Sequence, residues 1–226
     1  MDISFVYRKL RRSVAGFTIL AMLTSFVSFT GVAQAATCSF PDVDEDHWAI
    51  DYICDLVAQE VISGYENGEF GPEDSLTRGE LAKIAVLAFL GEEEIDTEYD
   101  AGFLDVGDEW FADYVNTAAK HGIVGGYTDA EGDPTGYYGP FDHVNRAAAA
   151  KILVGAAGLL TDTTGAPHFD DVEEGTWYYD FVETAYNNTI LDGYEDGTYG
   201  PADDVTRAQI SKMSVNAQNP VTRPQE

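Results

Sequence analysis

Three stretches of this chain share one hydrophobic rhythm. Ala49, Tyr52, Ile53, Leu56 and Val57 fall at three-four spacing, as do Tyr114, Val115, Ala118 and Ala119, and then Phe181, Val182, Ala185 and Tyr186. That period places each set on one face of an amphipathic helix. A second helix is expected after each. Leu81, Ala82, Ile84, Ala85 and Ala88 give the first its buried face, Ala147 to Ala150 give the next a thin face suited to close packing, and Ile210 and Met213 serve the last. The start of these second helices is marked. Thr77 with Glu80 and Thr206 with Gln209 read as capping boxes, in which the Thr hydroxyl accepts the third helical amide and that residue's side chain reaches back. Asn145 can cap the middle copy, although Ala148 cannot complete the box.

Polar turns join the paired helices. Gly64-Tyr65-Glu66-Asn67-Gly68 leads to Gly71-Pro72, and Gly193-Tyr194-Glu195-Asp196-Gly197 leads to Gly200-Pro201. Asn-Gly and Asp-Gly supply the positive φ that tight turns need. The middle copy runs from Gly126-Tyr127 to Gly139-Pro140 with an insertion, Glu131 to Gly136, expected at an exposed tip. Gly122 reads as a left-handed residue closing the first helix of that copy. Ahead of each unit stands an aromatic-x-Asp-Val lead-in, at Phe40, Phe103 and Phe169, followed by Trp48, Trp110 and Trp177. The steps from Phe to Phe are 63 and 66 residues, long enough for two helices and a loop per unit. The chain is thus three copies of one unit, at 36–91, 102–160 and 168–217. Segments 92–101 and 161–167 read as solvated linkers or helix extensions, and 218–226 as a tail too short for a further domain.

Residues 1–35 have the form of an export signal. Arg8, Lys9, Arg11 and Arg12 precede an apolar run from Val14 to Val27, and Ala33-Gln34-Ala35 offers a cleavage site. The expected mature protein is secreted and has no membrane span. Of 40 acidic and 12 basic residues, removing this segment takes one acid and four bases, which leaves 39 against 8 and a formal charge of −31. Such a balance excludes nucleic acid as a partner and simple adsorption to an anionic membrane. A solvated acidic surface accounts for most of these carboxylates.

Two cysteines, Cys38 and Cys54, lie in the exported part. A disulfide between them would close a loop of about 15 residues, worth roughly 3 kcal/mol at best. A functional thiol is the other reading, without a partner motif to support it.

The few basic residues are placed regularly. Arg78 and Lys83, Arg146 and Lys151, and Arg207 and Lys212 form three Arg-x4-Lys pairs at the start of the second helices. Each arginine falls at the first helical position, where the macrodipole disfavours a cation. Compensation could come from an ion pair with the lead-in Asp42, Asp105 or Asp171. It could also come from an anionic ligand facing the guanidinium fork, with or without such a pair. The lysines read as helix-surface solubilisers. A tryptophan near a helix start is usually core, but an indole lining a groove can stack on sugar C–H faces, and Tyr65, Tyr127 and Tyr194 divide the same way.

Aromatic-x-Asp-Val, tryptophan, Gly-Tyr with a turn, Gly-Pro and a Thr-Arg-Ala-Glu-like helix start together resemble the S-layer homology (SLH) family, in three tandem copies over nearly all of residues 39–217. The resemblance implies a mainly α fold of three helix-loop-helix repeats in a pseudo-threefold spindle around a central helical bundle. It also implies non-covalent anchoring to the cell wall, with anionic, often pyruvylated, secondary cell-wall polymer held in grooves between repeats and no cofactor. By motif, the polymer-facing arginines are Arg78, Arg146 and Arg207. The wider candidate set adds Trp48, Trp110, Trp177, Asp42, Asp105, Asp171 and Gly122. Here the family pattern varies: the second copy reads Asn-Arg-Ala-Ala and the first Thr-Arg-Gly-Glu. Many members carry glycine before the Ile/Val of the loop, and Gly122 stands there in one copy while Glu60 and Thr189 stand in the others. A groove that needs close backbone approach at that site should be weaker at the latter two.

Three competing readings follow from the residues. An enzyme has little support, because His47, His121, His143 and His168 lack metal spacing and no nucleophile motif occurs. Calcium is suggested by Asp42-x-Asp44-x-Asp46 and Asp129-x-Glu131-x-Asp133. Both runs lack the glycine and the distal glutamate of an EF-hand, with Ile53 and Pro140 at the latter position. The last is an envelope protein that assembles with other S-layer or surface proteins and binds no glycan.

Overall fold

A computed structural model of the protein describes residues 38–224; the expected export signal lies outside them. The described chain is mainly helical. Its order is α1 (Ile50–Ala58), α2 (Arg78–Phe89), a short 3-10 turn (Glu92–Glu94), α3 (Ala112–Lys120), α4 (Arg146–Ala156), α5 (Tyr179–Asn187) and α6 (Arg207–Gln218). Each first helix starts two residues beyond its tryptophan. Each second helix starts right after its capping residue. Both halves of the box form at Thr77/Glu80 and Thr206/Gln209, while Asn145 accepts only the Ala148 amide. Cys38 and Cys54 are joined in a disulfide that ties the first lead-in to α1.

The second helices form the centre. α2, α4 and α6 pack on one another, and each carries a first helix from the following unit on its flank: α3 on α2, α5 on α4, and α1 on α6. The last of these closes the ring. Buried Leu81, Ala85, Ala149, Leu153, Ala208 and Ile210 fill the middle, and Ile53, Leu56, Val115, Ala118, Val182 and Ala185 come in from outside. The alanines of α4 let this helix approach its neighbours closely, and each fully buried Leu or Ile contributes about 1.5–3 kcal/mol.

A cyclic set of backbone bonds ties the repeats together at the helix starts. Leu76 donates to Val205 (3.2 Å), Val205 to Val144 (2.9 Å) and Val144 to Leu76 (2.8 Å). All three side chains are buried. Isolated bridges at Ser75–Thr206, Thr77–His143 and Asn145–Asp204 belong to the same ring. The first amides of each central helix are satisfied by the next unit. Arg78 and Gly79 donate to Asp142 and Pro140, Arg146 and Ala147 to Asp203 and Pro201, and Arg207 and Ala208 to Asp74 and Pro72. With the cap covering the third amide, these helix N-termini are spent on the protein.

Most linker residues are exposed, and each linker is also docked through a few of them. Buried Thr117 on α3 accepts from the Asp96 amide (2.9 Å), Asn116 from Ala101 (3.1 Å), and Lys120 pairs with Asp96 (2.6 Å). Buried Thr184 on α5 accepts from Asp162 (2.9 Å), and Asn187 donates to the carbonyls of Asp162 and Thr164. Buried Glu183 holds the His168 backbone and ring. Each linker thereby hydrogen-bonds to the first helix of the unit it enters. A threonine on the partly polar face of α3 or α5 anchors one amide of each linker.

Candidate functional site

The loop of each repeat is fixed by its own lead-in. Asp42 accepts the amides of Phe70 and Gly71 (2.8 and 2.7 Å), Asp105 those of Tyr138 and Gly139 (2.8 and 2.7 Å), and Asp171 those of Tyr199 and Gly200 (2.7 and 2.8 Å). Burial alone would raise the Asp42 carboxyl. The two amides, aided by nearby Arg207, outweigh it and hold the group below its ordinary value. The aromatic ring of the lead-in lies against the glycine of Gly-Tyr. A Cβ at Gly64 or Gly126 would come within 2.7 Å of Phe40 or 2.9 Å of Phe103. This is the physical link between two motifs that sit about 25 residues apart.

The arginine comes from the preceding unit and grips that loop. Arg78 donates through Nε to Tyr138 O (2.8 Å) and through Nη2 to Gly125 O (3.1 Å). Arg146 does the same to Tyr199 O and Asp192 O (2.7 and 3.0 Å), and Arg207 to Phe70 O and Ser63 O (both 2.8 Å). Each guanidinium also lies between two aromatic rings. The centroid distances are 4.7 and 4.5 Å for Arg78 with Tyr127 and Tyr138, 4.8 and 4.4 Å for Arg146 with Tyr194 and Tyr199, and 4.8 and 4.6 Å for Arg207 with Tyr65 and Phe70. Among the described residues no ion pair joins these arginines to Asp42, Asp105 or Asp171. The compensation sought for a cation at a helix start is therefore carbonyl oxygen and aromatic face. In each arginine Nη1 forms no bond to the described residues.

A cleft opens beside Arg78 and another beside Arg146, and all three repeats contribute to each. Arg78 of the first repeat, Gly125, Tyr127 and Lys151 of the second, and Trp177 of the third line a cleft of about 390 Å³. The corresponding cleft of about 210 Å³ has Arg146 of the second repeat, Asp192, Tyr194 and Lys212 of the third, and Trp48 of the first. In the third set, Arg207 lies over Tyr65, and Lys83 over Trp110 (6.0 Å). The tryptophans are not core. Trp48, Trp110 and Trp177 are 52%, 57% and 56% exposed, because the buried positions beside them are taken by Ala49, Phe111 and half-buried Tyr178.

The lysines have more specific positions than surface solubilisers. Lys151 lies over the rings of Trp177 and Phe181 (5.7 and 5.6 Å), and Lys83 over Trp110 and Tyr114. Burial and a bond to Asp142 raise the Tyr127 phenol above its ordinary value, against the pull of Arg78. Burial likewise pushes Tyr138 up to about 12, so both phenols stay neutral beside the cation. Gly122, grouped with the polymer contacts on sequence, lies outside the residues lining the cleft. Its φ of 71° ends α3, and Glu60 (61°) and Thr189 (56°) adopt the same conformation. In the suggested calcium runs the leading residues, Asp42 and Asp129, accept backbone amides. No metal-holding group of three His, Cys, Asp or Glu occurs among the described residues.

Sequence reading missed Asp192 and the tail. Asp192 binds Lys212 (2.8 Å) and Arg223 (2.7 Å). Arg223 also donates to Tyr186 O and Leu191 O and stacks over the Tyr186 ring (4.0 Å). Burial would raise the Asp192 carboxyl, but the two cations hold it below its ordinary value. The signal was available: the residue before Gly-Tyr is Ser63, Gly125 and Asp192 in the three copies.

A family model for the S-layer homology domain matches residues 39–82, 102–150 and 168–210. The chain belongs to the S-layer homology domain family. It is similar to an S-layer protein of Bacillus thuringiensis subsp. finitimus, with 30% identity over 90% of this chain and 24% of that one. A Bacillus licheniformis S-layer protein shares 31% identity over 90% of this chain and 22% of its own length. An endoglucanase of Bacillus sp. (strain KSM-635) shares 28% over 91% of this chain and 22% of its own. The chain spans less than a quarter of the length of these relatives.

Proposed function

We propose that this chain holds a secreted surface protein to the bacterial cell wall, non-covalently, by taking up an anionic wall polysaccharide in its grooves. The observation that carries this reading is the makeup of the clefts beside Arg78 and Arg146. A guanidinium locked by two carbonyls keeps one terminal nitrogen uncommitted, with a lysine and an exposed indole beside it. A fixed cation suits a carboxylate such as a pyruvyl ketal, and an indole face suits sugar C–H groups. The helix N-termini take no part, because their amides are already bonded.

The role is binding and not catalysis. Relatives named S-layer protein and endoglucanase share the same segment with this chain, and a segment common to such different proteins serves attachment better than chemistry. Other S-layer or surface proteins are expected as neighbours in the envelope.

The test is co-sedimentation of the purified protein with native sacculi and with sacculi stripped of their secondary polymer. Because the arginines also clamp the loops, the informative variant replaces the exposed Trp48, Trp110 and Trp177 by Ala. Binding to native walls alone, weakened about tenfold or more in the variant, is the expected result. A folded protein that ignores native walls would overturn the proposal in favour of assembly with other surface proteins.

A further inference from the structure

The geometry points to unequal grooves: the one built from Arg78, Lys151 and Trp177 is the primary seat of the anionic saccharide, and Asp192 makes the groove of Arg146 the weakest. This rests on the polymer-binding reading above and assigns that ligand to a place.

Three observations rank the grooves. The cleft beside Arg78 holds about 390 Å³, against about 210 Å³ beside Arg146. Arg78 is partly exposed, whereas Arg146 and Arg207 are each only 5% exposed. The third concerns the lysine. Lys151 and Lys83 have no carboxylate partner among the described residues and lie over an indole. Lys212 is already paired with Asp192, a residue that stands where Gly125 and Ser63 stand in the other two repeats.

Net charge alone does not separate the grooves, because Arg223 offsets Asp192. Commitment does. A ligand carboxylate entering beside Arg146 must take Lys212 from an anion that already holds it, and must sit beside that anion afterwards. Beside Arg78 it meets a lysine that lies over two rings and has no carboxylate partner among the described residues, so no existing ion pair has to be broken. The equivalent residues of the third set rank between, because Lys83 has no carboxylate partner among the described residues but the Arg207 guanidinium is buried.

The three tryptophans make this measurable, since Trp177 and Trp48 line the two clefts, Trp110 lies under Lys83 in the third set, and the protein has no others. The experiment follows the three indole N–H signals of 15N-labelled protein during titration with polymer fragments released from native sacculi. Single Trp→Phe variants assign the signals. The Trp177 signal is expected to move first and that of Trp48 last, with apparent affinities at least about tenfold apart. Asp192→Ser, which leaves the backbone carbonyl for Arg146 in place, should tighten the response of Trp48 several-fold and leave Trp177 unchanged. Movement of Trp48 together with or before Trp177, or no tightening in Asp192→Ser, overturns the ranking while leaving polymer binding intact. No movement of any indole, with the protein folded, overturns polymer binding itself.

Discussion

Arg78 and Tyr138 hold each other through three contacts. The guanidinium donates to the Tyr138 carbonyl and lies 4.5 Å from its ring centroid, and the Tyr138 phenol donates to the Arg78 backbone carbonyl (3.0 Å). Arg146 and Tyr199 repeat all three, with the phenol bond at 2.8 Å. At the ring closure the tyrosine is Phe70, which has no hydroxyl. There Ser211, one turn along α6, donates to the Arg207 carbonyl instead (2.8 Å). One buried acceptor has two different solutions in the same fold.

This substitution within the repeat predicts a rescue. Tyr138→Phe removes the second donor to the Arg78 carbonyl, which keeps its helical bond, and should cost about 0.5–1.5 kcal/mol. Ala82 occupies the position of Ser211 in the first repeat, so adding Ala82→Ser should restore a good part of that loss. Urea denaturation of the parent, single and double variants measures it. A double variant no more stable than Tyr138→Phe would show that the two arrangements are not interchangeable.

The left-handed residues closing α1 and α5 carry strain that glycine would remove. An L-residue there is unfavourable by about 1–2 kcal/mol, and Thr189 is β-branched. Glu60→Gly and Thr189→Gly should each stabilise by about 1 kcal/mol, the second more, and Gly122→Ala should destabilise by a similar amount. A Cβ at Gly122 meets nothing within 4 Å, so this last effect isolates φ from packing. Thermal melting of the three variants should show two rises and one fall.

Asp42 should make stability depend on pH in a defined sense. Its folded value lies below its ordinary value of 3.8, so its contribution is complete above that value and disappears as pH falls through the lower, folded one. Asp42→Asn should therefore lower the melting temperature clearly at pH 6.5, and the gap to the parent should narrow below pH about 4. Comparing parent with variant cancels the titration of the other carboxylates. A gap that is constant, or widens in acid, would contradict the assignment.

Salt should act on polymer binding with an unusual sign. Residues 36–226 carry a formal −31, which repels an anionic polymer at long range, while the groove arginines and lysines attract it locally. Screening shortens the long-range part first, over about 30 Å at 0.01 M and 8 Å at 0.15 M. Sacculus binding should strengthen from about 0.01 to 0.15 M salt and weaken only well above that. Monotonic weakening from the lowest salt would mean that local attraction dominates throughout.

Much of the fold was legible in the sequence because local rules acted alone. The three-four spacing of Ile53, Leu56, Val115, Ala118, Val182 and Ala185 reflects helical periodicity, and Thr77, Asn145 and Thr206 marked helix starts through a bond spanning three residues. The repeat itself implied that the units share one backbone plan. The arginines stood out by their regularity in an acidic chain.

Only the tertiary structure decided where these residues meet. Arg78, Lys151 and Trp177 come from three different repeats and share a cleft because each first helix packs on the second helix of the unit before it. No spacing along one repeat encodes that exchange. The same holds for Asp42, Asp105 and Asp171, which looked like partners for arginine and instead hold their own loop amides. Whether a carboxylate meets a cation or an amide depends on which backbone the fold brings beside it. Exposure of the tryptophans and commitment of Lys212 were likewise settled by competition for space and charge between distant segments. Local chemistry in the sequence determined the units, and packing between units determined the grooves.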